Sequence, residues 1–308
     1  MDSEKYFIYK GTGGLFHNLS GLAESIELAI KHNAILIIDM QSHRIFGGKF
    51  SDYFTINNDK LKYYDDYENI PHELIEDIKD KQASNFGYMK KQYTINHGQQ
   101  LNILYGCGKW KTRYSGELDA YAHFEKHLLG TVSHHPIQDI KVSNLIFNKI
   151  KSENNIDKKY LSVHFRNTDL KRLSFLNDES LFFDKIKTTL KTYDIDTVYI
   201  ASDDSAFYDN FSKMFKHIKM IRKTHPPAGI ENLHYTAPDS KKQMYECLQD
   251  VYNILNSTMF IPSLNSGLSI RIIDMINNKY TIFPGVISKT KILQFEQLKP
   301  YKVRFKRF

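Results

Sequence analysis

Four short segments of this 308-residue chain carry the side chains and turns that could do chemistry. The first is Gly11-Thr12-Gly13-Gly14, followed closely by His17 and Asn18. A glycine turn between a strand and a helix brings backbone N–H groups and a helix N-terminus against a phosphate. The plain alternative is a tight βα turn. The segment is no GxGxxG and no GK[ST] follows, which disfavours a dinucleotide site and a P-loop. The second is His164-Phe165-Arg166-Asn167-Thr168-Asp169. Just past a strand, Arg166 can hold a phosphate with two parallel N–H bonds. Asp169 can orient that arginine or shape the loop. A surface ion pair beside a core histidine is the competing view. The third is Ala201-Ser202-Asp203-Asp204. A carboxylate there accepts from a base N–H or a ribose hydroxyl, or caps the next helix. The fourth runs from Asp250 to Ser263, Asn265, Ser266, Gly267 and Ser269. A strand that breaks into such a loop offers hydroxyls and N–H groups to a diphosphate, or simply starts a helix.

These segments need elements to hold them. Residues 6–9 read as a strand, 15–29 as an amphipathic helix, and 34–39 as a buried strand ended by an acid: a βαβ unit. Residues 41–138 are polar and aromatic with weak periodicity; 118–129 and 141–150 read as helices. The polar run 151–159 marks the domain boundary, drawn between 155 and 156. The alternation then restarts. Strands are expected at 160–164, 197–201, 218–221, 259–261 and 280–283, and helices at 181–190, 206–215, 241–255 and 269–276. Strands alternating with helices give an α/β fold with parallel sheets, here as two Rossmann-like domains, 1–155 and 156–308. Residues 299–307 are basic and read as solvated, and the tail 290–308 is a candidate to pack back on the N-terminal domain.

Composition narrows the function classes. Hydrophobic residues at 41% and charged residues at 25% describe a globular chain with a real core. Lys+Arg 42 against Asp+Glu 35 leaves +7, an excess that suits a phosphate-bearing partner. The basic residues are spread among acids, and no nucleic-acid-binding signature is present, so a nucleic-acid or anionic-surface binder is the weaker reading. Cys107 and Cys247 lack metal or disulfide spacing. Asp194-Ile195-Asp196 precedes a strand instead of following one, so no metal site is expected. No signal peptide and no spanning segment are read, which points to a soluble, cytoplasmic protein. The abundance of Lys, Ile, Asn, Tyr and Phe matches an AT-rich genome.

Taken in order, the four segments resemble the α1,6/protein O-fucosyltransferase superfamily, which includes the nodulation and core fucosyltransferases. Its HxRRTD segment is similar to His164-Phe165-Arg166-Asn167-Thr168-Asp169, and its A-[ST]-D-D segment to Ala201-Ser202-Asp203-Asp204. The resemblance implies a GT-B fold, with two Rossmann-like domains facing across a cleft. It implies metal-independent, inverting transfer from GDP-fucose to a glycan or glycoconjugate, with no cofactor. By the same resemblance Arg166 meets the β-phosphate, with Asp169 as its catalytic companion, and His164 and Asp203 meet guanosine. Asp250 and the Asn265-Ser266 loop surround the nucleotide sugar, Gly13 and Gly14 line the diphosphate, and His17, Asn18 and Gly267 complete the donor-binding set. Asn167 stands where the α1,6 enzymes have a second arginine, and Glu179 is a distant candidate for their downstream acid. Another GDP-, UDP- or dTDP-sugar is the alternative donor. The acceptor side falls to the irregular middle, where Tyr53, Tyr63, Tyr64, Trp110 and Arg113 are weak candidates against ordinary packing roles.

Overall fold

The computed structural model describes residues 5–10, 14–31, 33–40, 46–65, 89–95, 99–107, 136–167, 178–224, 226, 239–263 and 266–293. The chain divides between Ser143 and Asn144 into two compact units. That point lies ahead of the polar run 151–159, which belongs to the second unit.

In the first unit, β1 (Lys5–Lys10) leads into α1 (Leu15–Lys31), β2 (Ile35–Asp39), β3 (Phe54–Ile56), β4 (Tyr63–Tyr64), β5 (Met89–Ile95), β6 (Gln99–Cys107) and β7 (Ile140–Val142). The sheet order is β4-β2-β1-β6-β5, and a separate ribbon joins β3 to β7. β1 pairs parallel with β2 and β6, while β5 runs antiparallel to β6. The core stripe of α1 is Leu15, Leu19, Leu22, Ala23, Ile26 and Ala29, all buried, which is the periodicity a helix needs to seal one sheet face. Every residue of β2 is buried, as its unbroken apolar run requires. Phe46, Phe50, Tyr53 and Phe54 form an aromatic cluster, with Tyr63 packed edge-on against Phe50. Tyr53 is therefore a core residue, buried to 4% exposure.

In the second unit, α2 (Asn144–Glu153) precedes β8 (Leu161–Phe165), α3 (Glu179–Tyr193), β9 (Thr197–Ser202), α4 (Ser205–Met214), β10 (Lys219–Ile221), α5 (Ser240–Leu255), β11 (Met259–Ile261), α6 (Gly267–Asn277) and β12 (Lys291–Ile292). The sheet order is β10-β9-β8-β11-β12, every pairing parallel. Numbered within the unit, this is 3-2-1-4-5, the doubly wound order, and its direction reverses between β8 and β11.

Side chains alternate across the sheet. Leu161, Val163, Phe165, Val198, Ile200, Met259 and Ile261 share one core with Phe182, Phe183 and Ile186 of α3 and Phe207, Tyr208 and Phe211 of α4. The other face carries Ser162, His164 and Tyr199, which bond to Ser257, to Ser269 of α6 and to Asp250 of α5. α5 packs on β8 and β9 and touches α6. Among the described residues, two helices thus cover each face, and all four begin at the edge where the strands end.

Two element expectations change. Residues 141–150 were read as a helix throughout, yet 140–142 form β7 and the helix starts at Asn144. Residues 280–283 were read as the last strand. They form a turn instead, with the Phe283 N–H donating to Thr281 Oγ1 and the Val286 N–H to the Phe283 carbonyl. The last strand is β12, so the beginning of the tail belongs to the second sheet. The expected helix at 118–129 and the remainder of the tail lie outside the described residues. Among the described residues, no helix is long and apolar enough to cross a membrane.

Candidate functional site

In an open parallel sheet, ligands bind at the carboxyl ends of the strands where the order reverses. In the second unit that place lies between the ends of β8 and β11. The chain leaves β8 at Phe165 and presents Arg166 at once. The Arg166 Nε lies 3.9 Å from Asp203 Oδ2, with the two side chains 19% and 12% exposed. Asp203, just past β9, also accepts the Asn167 N–H at 3.1 Å. Its neighbour Asp204 caps α4 by accepting from the Ala206 N–H, and takes a second bond from Asn167 Nδ2 at 3.0 Å. One acid therefore steers the arginine while the next fastens both loops to a helix start. Asn167 departs from the second arginine of the resembled motif, and here it serves this fastening.

On the other side of the crevice, one hydroxyl joins three elements. Ser269 Oγ of α6 is 2.6 Å from His164 Nδ1 of β8 and accepts the Ser263 N–H, just past β11, at 3.0 Å. This fixes the histidine ring, which is 7% exposed, and draws the β11 loop against β8. α6 then opens at Gly267, with Ser266 in the extended cap conformation but making no side-chain cap bond. Among the described residues, three buried side-chain atoms have no hydrogen-bond partner: Ser266 Oγ, Gln243 Oε1 and Asn253 Oδ1. Buried polar groups are otherwise paired, so each exception calls for an explanation. Among the described residues, a Cβ at Gly267 would meet nothing within 4 Å.

Asp250 is enclosed below this edge. Its Oδ1 accepts from Tyr199 at 2.6 Å and its Oδ2 from Thr224 at 2.5 Å. Burial pushes its carboxyl up to about 7, against the pull of both hydroxyl donors and reinforced by the Glu246 carboxylate. In the unfolded chain the same group ionises near its ordinary 3.8. An acid raised on folding stabilises the fold only at low pH, and that contribution is lost as pH climbs from about 4 through about 7. Asp250→Asn removes the charge; its amide oxygen accepts from one of the two hydroxyls, and its amide nitrogen donates to the other, whose direction reverses. Melting curves should therefore show wild type losing stability relative to Asp250→Asn between pH 5 and pH 8. Parallel curves would contradict the assignment.

The sequence candidates separate as follows. His164, Arg166, Asp203, Ser266 and Gly267 gather at the switch-point edge. Asp250, expected around the nucleotide sugar, has both carboxylate oxygens engaged inside the unit. Asn18 and Gly14 belong to the first unit. Asn18 is fully buried, donating from Nδ2 to the Gly14 carbonyl at 3.0 Å, while Tyr9 donates to the Asn18 carbonyl at 2.7 Å. These bonds pin the start of α1 to β1. Glu179 accepts from Asn210 Nδ2 at 3.0 Å and so joins α3 to α4. Gly13, Asp169, Asn265, Trp110, Arg113 and the side chain of His17 lie outside the described residues. Sequence reasoning missed Tyr199 and Thr224 as partners of Asp250, and Ser269 as the joint of the crevice. Ser269, one turn beyond Ser266, was in view within the fourth segment; Thr224 had no local signal.

The second unit is a doubly wound parallel α/β fold with an arginine and a helix start at its switch point. No family model matches the chain and no curated protein matches it by sequence. Among solved structures it is similar to POFUT1 in complex with GDP, with a TM-score of 0.55 at 10% identity over 95% of this chain and 99% of that one. It is similar to POFUT1 in complex with GDP-fucose, with a TM-score of 0.53 at 12% identity over 95% and 99%. The fucosyltransferase NodZ from Bradyrhizobium matches with a TM-score of 0.49 at 15% identity over 89% and 92%. The chain has the fold of POFUT1, which agrees with the resemblance carried by the four segments.

Proposed function

We propose that this chain is a glycosyltransferase that takes its sugar from a nucleotide diphosphate, with GDP-fucose as the donor, and passes it to a hydroxyl of a glycan or glycoconjugate. The observation that carries this reading is the switch-point edge of the second unit, where Arg166 is held by Asp203 and α6 starts at a capping hydroxyl that is unpartnered. An anion is the ligand such an edge suits, because unpaired backbone N–H groups and a helix dipole favour negative charge. The shared fold with POFUT1, solved with GDP and with GDP-fucose, supports the choice of donor.

The chemistry follows from charge. The bond from the sugar's anomeric carbon to the β-phosphate oxygen breaks as the acceptor oxygen bonds to that carbon from the opposite face. Negative charge then grows on the leaving diphosphate. Arg166 and the N–H groups at the start of α6 stabilise it most when it is greatest, which lowers the barrier. The acceptor proton goes to a base or to a phosphate oxygen of the leaving group. This charge stabilisation comes from the chain itself, so transfer should proceed in EDTA.

The test is incubation of the protein with GDP-fucose, in EDTA, with released GDP measured with and without candidate acceptors. GDP release that tracks enzyme concentration is expected. A strict requirement for an added divalent cation would contradict metal independence. Release from UDP- or dTDP-sugars but not from GDP-fucose would replace the donor.

A further inference from the structure

We propose that Gln243 is a ligand-contacting residue of this same edge, its amide carbonyl accepting a hydrogen bond from the nucleoside half of the bound nucleotide. This rests on the nucleotide-sugar reading above and goes beyond it, since the four segments do not include this residue.

The placement comes from the geometry of α5. Its last residue, Leu255, lies just before β11, at the edge where the parallel strands begin. A helix of 16 residues spans about 24 Å, against about 17 Å for the five residues of β8. The first turn of α5 therefore stands at the opposite edge, where Arg166 emerges. Along α5, Gln243, Cys247 and Asp250 follow one another at helical spacing on one stripe. Asp250 reaches Tyr199 of the sheet, so the stripe faces the sheet. Cys247 keeps part of its surface accessible although it lies on that stripe. Burial pushes its thiol up to about 12, the Asp250 carboxylate adds to this, and the Arg166 guanidinium opposes it. Gln243 sits one turn closer to the edge than Cys247.

There Gln243 is 9% exposed and its Oε1 is buried without a partner. A carbonyl in this state forfeits the hydrogen bond it had in water, and a fold keeps that cost only where something else gains from it. α5 and α6 touch and both begin at this edge, so this carbonyl and the unpartnered Ser266 hydroxyl stand at the starts of neighbouring helices. The two atoms ask for different chemistry. A hydroxyl at an open helix start suits phosphate oxygens. A bare carbonyl can only accept, so it takes N–H or O–H groups, which a diphosphate lacks and a base or ribose carries. α5 lies over β8 and β9, and in doubly wound sheets the nucleoside lies toward the second strand, here β9.

Calorimetric titration with GDP and with inorganic pyrophosphate, on wild type, Gln243→Leu, Gln243→Met and Arg166→Ala, tests this. Loss of one hydrogen bond should weaken GDP binding about tenfold in both Gln243 variants and leave pyrophosphate binding unchanged. Their ligand-free melting temperatures should stay level or rise, because an unsatisfied buried carbonyl has gone. Arg166→Ala should weaken both ligands. Wild-type GDP affinity in the Gln243 variants, or an equal loss for pyrophosphate, would overturn the role of Gln243 while leaving the parent reading intact. A fall in ligand-free stability without a selective loss of GDP would do the same, by making the residue structural. Failure of wild type to bind either ligand would remove the parent reading and this inference together.

Discussion

Arg166→Ala should lower transfer from a nucleotide sugar by about 10²- to 10³-fold in kcat, the range seen when one preorganised donor to a developing oxyanion is lost. The expectation comes from position. Arg166 leaves β8 at the point where strand order reverses, and Asp203 holds it from one side. The cost should appear in kcat and not only in KM, because the charge it meets is greater in the transition state than in the bound donor. Arg166→Lys should recover part of the loss, since an ammonium keeps the charge without the two-pronged geometry. Melting temperature should change little, because the side chain lies at the sheet edge and Asp203 still accepts from the Asn167 N–H. Steady-state kinetics with released GDP as the readout checks this. An alanine variant that keeps a tenth or more of wild-type kcat would remove Arg166 from the chemistry.

The second large effect is on stability. Phe207 stacks on Phe165 at 4.1 Å between ring centroids and on Phe183 at 5.2 Å, with Phe182 edge-on at 6.3 Å. It is fully buried at the centre of the face shared by α3, α4 and the sheet. Phe207→Ala empties that centre and should cost about 3–5 kcal/mol. At about 2–4 °C per kcal/mol for a domain of this size, the second unit should melt roughly 10 °C lower. Phe165 is the residue before Arg166, so the cavity also loosens the strand end that aims the arginine. Activity should then fall more than the unfolded fraction accounts for, at temperatures well below the melt. Phe207→Leu should fall between. Differential scanning calorimetry with parallel kinetics checks both parts; an unshifted melting transition in Phe207→Ala would contradict the packing described.

The second unit was far more legible in the sequence than the first. Its strands are short apolar runs and its helices carry clean stripes, because each element buries one well-defined face. Asp178, Asp204 and Asp239 cap α3, α4 and α5, and such acids are visible before apolar runs. The first unit hid β5 and β6 because periodicity within 41–138 is weak, and because β6 gains its place by pairing with distant β1 as well as with β5. Within the site, Arg166, Asp203 and Ser266 were visible because they follow strands. The closed bonding of Asp250 was not, since Thr224 and Tyr199 reach it across 26 and 51 residues. Gln243 was invisible for a different reason: an unpartnered atom is a property of packing, and no spacing encodes it.

If the edge of β8, β9 and β11 receives a nucleoside diphosphate, as proposed, a crystal of the protein soaked with GDP should show it there. The diphosphate should lie against Arg166 and the Ser266–Gly267 helix start, with the nucleoside toward β9. GDP bound at another surface, or absent from the crystal at saturating concentration, would contradict it.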